Sequence, residues 1–217
     1  MEKLRVAVLI SGRGSNLQAL IDACAEEGFP ARIVVVISNT ENAMGLERAE
    51  RAGIPTKVIQ HQEFADRAEF DAALERTIQN YDANFICLAG FMRLLTSGFV
   101  DSWHDRLINI HPSLLPSFRG LDTHARALAA GVRFSGCSVH FVRSEVDAGP
   151  IIVQAAVPVH PDDTPDTLAA RVLTAEHRCY PLALRWIADG RVTVEGDVVR
   201  VAGARVPKKN LVNPGEH

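Results

Sequence analysis

Asn109 and His111 stand two residues apart at the end of an apolar run that begins at Leu107. In an extended strand that spacing puts both side chains on one face. An amide and an imidazole there can both donate to an oxygen on which negative charge develops. Pro112 restricts His111 to an extended backbone and helps to fix its direction. Alone, His111 could equally be a satisfied structural histidine; the pairing with Asn109 and the strand-end position favour catalysis. A third residue, Asp147, opens the polar turn Asp147-Ala148-Gly149-Pro150. It could merely cap that turn. As a partner of His111 it would favour the imidazolium, and it could accept a proton directly or through water. His111, His124, His140 and Asp147 lack a standard metal-ligand spacing, so zinc is the weaker reading and no metal is expected.

A second candidate is the loop Ser11-Gly12-Arg13-Gly14-Ser15-Asn16, which follows an apolar strand and opens a helical pattern. Small residues let backbone N–H groups approach an anion, and a helix N-terminus adds donors and a favourable dipole. The bland alternative is that Ser15 or Asn16 caps the helix. A dinucleotide fingerprint fails, because Leu17 occupies the third glycine position and Ser38, Asn39 and Thr40 stand where an acidic ribose ligand belongs. No Gly-Lys-Ser/Thr follows, so the P-loop fails too. The loop reads as a site for a single phosphate, as on a phosphorylated sugar.

These residues need a scaffold, and the chain alternates strands and helices. Strands are expected over Leu4 to Ile10, Ile33 to Ile37, Thr56 to Ile59, Phe85 to Leu88 and Leu107 to Ile110. Between them lie helical patterns to about Glu27, over Ala43 to Ala52, and through Phe70, Leu74 and Ile78, which stand four apart. This rhythm predicts an α/β fold, an open, mostly parallel twisted sheet with helices on both faces. Later, Cys137 to Val142 and Ile151 to Val159 read as a pair of longer strands. Leu168, Val172, Ala175, Cys179, Leu182 and Trp186 mark a long amphipathic helix with a kink at Pro181. Val192 to Val194 and Val198 to Val201 flank a Glu-Gly-Asp turn and read as a terminal hairpin. The expected organisation is one domain over 1–202, with a nucleotide-binding half to about 105 and a catalytic half from about 106, then a polar tail over 203–217 whose last dozen residues fray.

Composition bounds the function. With 217 residues and 47% hydrophobic content, the chain can hold a real core. Lys+Arg 23 against Asp+Glu 26 gives −3, which disfavours a general nucleic-acid binder and leaves room for a local cationic pocket. The longest apolar runs are far short of a membrane span, and the N-terminus does not read as a signal peptide. Cys24, Cys87, Cys137 and Cys179 are widely and irregularly spaced and read as reduced, mostly buried thiols of a cytoplasmic protein. Small-molecule substrates are the expected partners, and monomer and homodimer both remain open.

The run Asn109-Ile110-His111-Pro112-Ser113-Leu114-Leu115-Pro116 with Arg119-Gly120 closely resembles the formyltetrahydrofolate transferases and hydrolases. Asp147-Ala148-Gly149, the Gly12 to Asn16 loop, Leu88-Ala89-Gly90-Phe91-Met92-Arg93 and Glu176-His177 strengthen that resemblance, which runs from about Arg5 to the final hairpin. The resemblance implies formyl transfer from 10-formyltetrahydrofolate, a co-substrate, to the amine of N1-(5-phospho-D-ribosyl)glycinamide, a step of purine synthesis. It implies that Asn109 and His111 stabilise a tetrahedral oxyanion while Asp147 supports a protonated His111. It implies a ribonucleotide site of Gly14, Ser15, Asn16 and Glu176. It implies a folate site of Arg67, Met92, Arg93, Leu94, Leu95, Asn109, Arg143, Val146 and Asp147, with Arg67 on the glutamate carboxylates. Without the resemblance, Glu176 is an exposed helix glutamate, Arg67 a solvated charge, and Met92 to Leu95 core.

One position departs from the family pattern. A long polar residue often stands three before the glutamate, and here it is Leu173. The phosphate would lose one contact unless Arg13 or another group compensates. Among rivals, a formyltetrahydrofolate deformylase would carry an extra N-terminal domain, for which a first strand at residue 4 leaves no room. A methionyl-tRNA formyltransferase would bind RNA and carry a C-terminal domain, which neither charge nor length fits. A catalytically inactive folate- or nucleotide-binding protein is disfavoured by the presence of all three polar residues, and a dinucleotide oxidoreductase is more distant still.

Overall fold

The computed structural model describes residues 2–208 and 210–214. Its elements, in chain order, are β1 (Leu4–Ile10), α1 (Ser15–Ala25), β2 (Ala31–Ser38), α2 (Met44–Arg51), β3 (Thr56–Val58), α3 (Arg67–Asn80), β4 (Phe85–Leu88) and α4 (Ser97–Ser102). There follow β5 (Leu107–His111), α5 (Thr123–Ala129), β6 (Phe134–Phe141), β7 (Ile151–Pro158), α6 (Pro165–Ala188), β8 (Val192–Glu195) and β9 (Val198–Val201). Seven strands form one sheet in the order β3-β2-β1-β4-β5-β6-β7. The first five are parallel, whereas β6 and β7 pair antiparallel. β8 and β9 form the separate hairpin.

Period-two alternation sorts the central strands between two cores. Val6, Val8 and Ile10 pack with α1, α2, α5 and α6, while Ala7 and Leu9 pack with α3 and α4 on the other face. Both faces are covered, as the unbroken Ile33 to Ile37 run requires. α3 starts where the Asp66 carboxylate accepts from the Glu69 N–H. α6 starts in a reciprocal Thr164–Thr167 capping box followed by Pro165, and it runs on through Pro181. Its buried stripe is Leu168, Val172, Glu176, Tyr180 and Leu184, four apart. The periodic face read from the sequence is rotated slightly from this one, for Leu182 is exposed. α4 and α5 were not anticipated; at six and seven residues they are too short to show a periodic stripe. In the tail, Asn213 donates to the Val159 carbonyl at 3.1 Å. The expected fraying includes residues 209 and 215–217, which lie outside the described residues.

The strand order reverses between β1 and β4, so the loops that leave their carboxyl ends diverge and open a crevice. Ser11 N–H donates to Gly90 O at 3.1 Å, and Met92 N–H donates to the Ser11 hydroxyl at 2.8 Å. Those bonds join the glycine loop to the Met92–Leu95 segment across the crevice. The Tyr180 hydroxyl, buried behind it, donates to Leu88 O at 2.8 Å at the end of β4.

Candidate active site

Register places Asn109 of β5 opposite His140 of β6, and His111 opposite Ser138. The Nδ1 of His140 lies 2.8 Å from the Phe141 carbonyl. A carbonyl only accepts, so Nδ1 carries its proton; Nε2 accepts from the Asn109 amide 3.3 Å away when the ring is neutral and becomes a donor toward Asp147 when the ring is charged. The second N–H of that amide is left for another acceptor. His140 was overlooked by the sequence reading except as a metal candidate; it orients the Asn109 side chain.

His111 is buried. Its Nδ1 lies 3.3 Å from Asp147 Oδ2, and its Nε2 lies 3.0 Å from the Phe118 carbonyl. Both partners are acceptors, so only the doubly protonated ring donates to both at once. Asp147 Oδ2 also accepts from Gly120 N–H at 2.9 Å, and Oδ1 lies 3.7 Å from His140 Nε2. Burial alone would raise the Asp147 pKa. Hydrogen bonding from His140 and Gly120, with the charges of His111 and His140, outweighs burial and holds the carboxyl below its ordinary value. Asp147 itself has φ 52°, a left-handed conformation that aspartate tolerates. Gly149 is needed two residues on, because a Cβ there would stand 1.8 Å from the Phe141 carbonyl oxygen. The turn is therefore more than a cap, since it presses Asp147 against the strands that carry the other three residues.

The segment after His111 is tied to β6 and β7. Buried Ser138 donates to Ser113 O at 2.7 Å and accepts from Leu115 N–H at 3.0 Å and Gln154 Nε2 at 2.8 Å. Beyond that tether, Phe118 has φ 55°, a strained value for an aromatic residue, where its carbonyl meets His111. His124 lies close enough for His111 to help depress its pKa, after the larger effect of burial. Among the described residues, no group of three His, Cys, Asp or Glu is placed to hold a metal ion.

At the glycine loop, Gly14 rather than Ser15 or Asn16 is the N-cap of α1, and no side chain caps the helix. The first-turn N–H groups are thus left available. Asn16 instead turns its Nδ2 to Glu176 Oε2 at 2.7 Å. Glu176 is buried rather than exposed, and burial raises its pKa against the opposing Asn16 bond. The structure thus brings Gly14, Ser15, Asn16 and Glu176 together, as it does Asn109, His111 and Asp147.

The other expected residues stand farther apart. Met92 and Leu94 are exposed rather than core, at 63% and 58%, and only Leu95 of this segment packs on the second core. Arg93 is half-buried, and its Nε has no partner among the described residues. Arg67 opens α3, exposed and without an ion pair among the described residues. α3 meets the Met92–Leu95 segment where Thr96 N–H donates to Asp71 at 2.7 Å. Arg143 turns its guanidinium to Asp105, and Val146 is exposed.

A family model described as formyl transferase matches residues 4–184. The phosphoribosylglycinamide formyltransferase of Escherichia coli (strain K12) is 47% identical over 204 residues, 94% of this chain and 96% of that protein. The trifunctional purine biosynthetic protein adenosine-3 of Gallus gallus is 54% identical over 88% of this chain, which spans only 19% of that protein's length. Among solved structures, glycinamide ribonucleotide transformylase 1 from Symbiobacterium toebii superposes with a TM-score of 0.90 at 49% identity, covering 92% of this chain and 94% of that one. A formyltetrahydrofolate deformylase from Pseudomonas syringae also superposes, at TM-score 0.85 but 28% identity, over 93% of this chain and 66% of that one.

Proposed function

Since the chain belongs to the formyl transferase family, we propose that it transfers the formyl group of 10-formyltetrahydrofolate to the amine of N1-(5-phospho-D-ribosyl)glycinamide. The products are formyl-glycinamide ribonucleotide and tetrahydrofolate, in de novo purine synthesis. The observation that carries this reading is Asp147, which meets His111 at 3.3 Å and His140 at 3.7 Å beside Asn109.

The amine attacks the formyl carbon, and the carbonyl oxygen becomes an oxyanion. The spare Asn109 N–H and a His111 N–H donate to it. For His111 to reach it, one of its two contacts must yield. Releasing the strained Phe118 carbonyl sacrifices no ion pair, so the 112–122 segment is the part that moves. Collapse breaks the bond from the formyl carbon to the folate nitrogen, and the proton lost by the amine ends on that nitrogen. Asp147 keeps His111 charged and assists this transfer.

Ribonucleotide binding falls to Gly14, Ser15 and Asn16, with their first-turn amides on the phosphate, and to Glu176 on a ribose hydroxyl. Folate binding falls to Met92, Leu94, Leu95 and Val146 as apolar walls, with the backbone from Arg143 to Asp147 and the Asn109 side chain at the pterin. Arg93 lines the same folate face, and Arg67 meets the glutamate carboxylates. In this reading the N-terminal half supplies most of the nucleotide site and the C-terminal half the catalytic groups, though one sheet runs through both. It is a cytoplasmic protein, monomer or homodimer, working on small molecules without a metal. No helix of the described residues is long and apolar enough to cross a membrane.

The test is an assay with 10-formyltetrahydrofolate, with and without the glycinamide ribonucleotide, following tetrahydrofolate release and the formylated product. Product formed only with the amine present is the expected result. Folate turnover without the amine would make the protein a hydrolase, and silence in both would overturn catalysis.

A further inference from the structure

Sheet order sets the carboxyl ends of β3, β2, β1 and β4 side by side. One residue beyond each of those ends joins a line of hydrogen bonds that the formyl transfer itself does not use. Beyond β4, Met92 N–H donates to the Ser11 hydroxyl at 2.8 Å. Beyond β1, that hydroxyl gives its own proton to Asn39 Oδ1 at 2.5 Å. Beyond β2, Asn39 is buried, and its Nδ2 faces His61 Nδ1 at 3.2 Å. An amide nitrogen only donates, so His61 Nδ1 accepts, and the ring is neutral with its proton on Nε2. Every direction in the line is thereby set, from Met92 through Ser11 and Asn39 to His61. Ser38, Asn39 and Thr40 stand where a dinucleotide fold would hold a ribose hydroxyl. Here Asn39 turns to the glycine loop instead, and the Thr40 hydroxyl donates to Ser11 O at 3.4 Å.

His61 opens the short turn His61–Glu63 and is half-buried. It lines a polar hollow of about 180 Å³ with Asn39, Thr40, Glu41, Gln60 and Gln62, so its ring exchanges protons with solvent. Glu41 is the other titratable group of that lining, and it accepts from Gln60 Nε2 at 2.6 Å. Glu63, on the same turn as His61, is exposed. A charged ring would carry a proton on Nδ1 and aim it at the Asn39 amide protons. The acceptor left to it would be the Asn39 carbonyl oxygen at 3.4 Å, and the line would lose its last link.

We propose that Asn39 and His61 are positioning residues for the folate site. His61 orients Asn39, Asn39 orients the Ser11 hydroxyl, and that hydroxyl holds the backbone of Met92, where the folate wall begins. The inference rests on the folate reading above and deepens it: the wall after β4 is set from the far edge of the sheet, at the end of β3.

The Met92 amide in the NMR spectrum of the ligand-free full chain reads this line without any folate. Its shift should move with pH in step with the His61 ring. It should cease to do so in His61→Gln, whose side-chain oxygen accepts from Asn39 at any pH. In turnover, Asn39→Ala and His61→Ala should raise KM for 10-formyltetrahydrofolate about three- to tenfold, the worth of one hydrogen bond. Meanwhile kcat and KM for the ribonucleotide should hold within about twofold, and His61→Gln should restore most of the folate KM. Asn39→Asp still accepts from Ser11 but cannot donate to a neutral ring, whereas it accepts from a charged one. Its folate KM relative to wild type should be worst near about pH 8 and recover toward about pH 6. Adding His61→Gln should flatten that dependence. A Met92 amide indifferent to His61→Gln and to protonation of the ring overturns the proposal, and so does an unchanged folate KM in His61→Ala, whose half-buried site spares the fold. A Met92 amide that follows His61 in a protein that forms no product would support the hydrogen-bonded line and overturn the folate reading alone.

Discussion

Two carboxylates, half-buried Asp147 and buried Glu176, define the two ends of the site, and their surroundings push them in opposite directions. Asp147 is ringed by donors, with His111 at 3.3 Å, Gly120 N–H at 2.9 Å and His140 at 3.7 Å, and its pKa falls despite burial. Among the described residues Glu176 has one donor, Asn16 at 2.7 Å, and burial raises its pKa. The catalytic end is thus complete in itself, with its charges already satisfied by the protein. The end proposed to bind the ribonucleotide is incomplete, for alongside Glu176 lie Asn16 Oδ1 and His177 Nε2, unpartnered among the described residues. A ligand entering the first end must displace a protein contact, and one entering the second fills vacant ones.

The largest expected effect tests the complete end. Asp147→Asn keeps the shape but removes the charge that holds His111, and turnover should fall about a hundredfold or more, the scale seen when a donor to a developing oxyanion is lost. Asn109→Ala and His111→Ala should act alike, and combining them should cost far less than the product of the single losses. A folded Asp147→Asn enzyme with near-wild-type kcat would remove Asp147 from the chemistry. Next comes His140→Gln, which disturbs Asn109 and Asp147 together without touching substrate. Turnover should fall about tenfold, and the loss should largely vanish in an Asn109→Ala background, the signature of two residues in one network.

The residues of the catalytic end differ in how much local sequence reveals of them. Asn109 and His111 were legible because a spacing of two at a strand end is local information, and the glycine loop was legible because strand, loop and helix are contiguous. His140 was not. It faces Asn109 only through the antiparallel β5–β6 register, and pairing register is not written in either strand alone. Contact between Asp147 and His111 depends on a turn folding back over two strands, so the sequence could offer the pair only as a possibility. The burial of Glu176 did have a local signal. Leu168, Val172, Glu176, Tyr180 and Leu184 stand four apart, and a carboxylate inside such a stripe is a buried one. The parallel sheet was readable from the β-α rhythm, whereas α4 and α5 are too short for periodicity to speak. Leu173 was visible as a departure, whereas the seating of α2 on the glycine loop was not, because the Gly14–Gly45 approach joins residues 31 apart in sequence.

The smallest effect is the sharpest test of the contrast, because it predicts a sign. Asp147 has a folded pKa below its ordinary 3.8, so it contributes stability that is present above that pH and lost as pH falls through the lower folded value. Glu176 has a folded pKa above its ordinary 4.5, so its contribution is present below that pH and lost as pH rises through the raised folded value. At pH 7, then, the lowered pKa of Asp147 supports the fold while the raised pKa of Glu176 weakens it. Asp147→Asn should lower Tm at pH 7, and the deficit should shrink on acidification below 3.8. Glu176→Gln keeps an acceptor for Asn16 and sheds the buried charge, so it should raise Tm at pH 7, with the gain fading toward pH 4.5. In a chain of this size 1 kcal/mol moves Tm by about 2–4 °C, within reach of thermal melts across pH. The same Glu176→Gln protein should bind the ribonucleotide more weakly, because a neutral amide is a poorer acceptor for a ribose hydroxyl than a carboxylate. Gain of stability with loss of affinity is what a carboxylate kept for a ligand requires. A lower Tm for Glu176→Gln at pH 7 would mean that the Asn16–Glu176 bond outweighs burial, and the two ends of the site would then be alike.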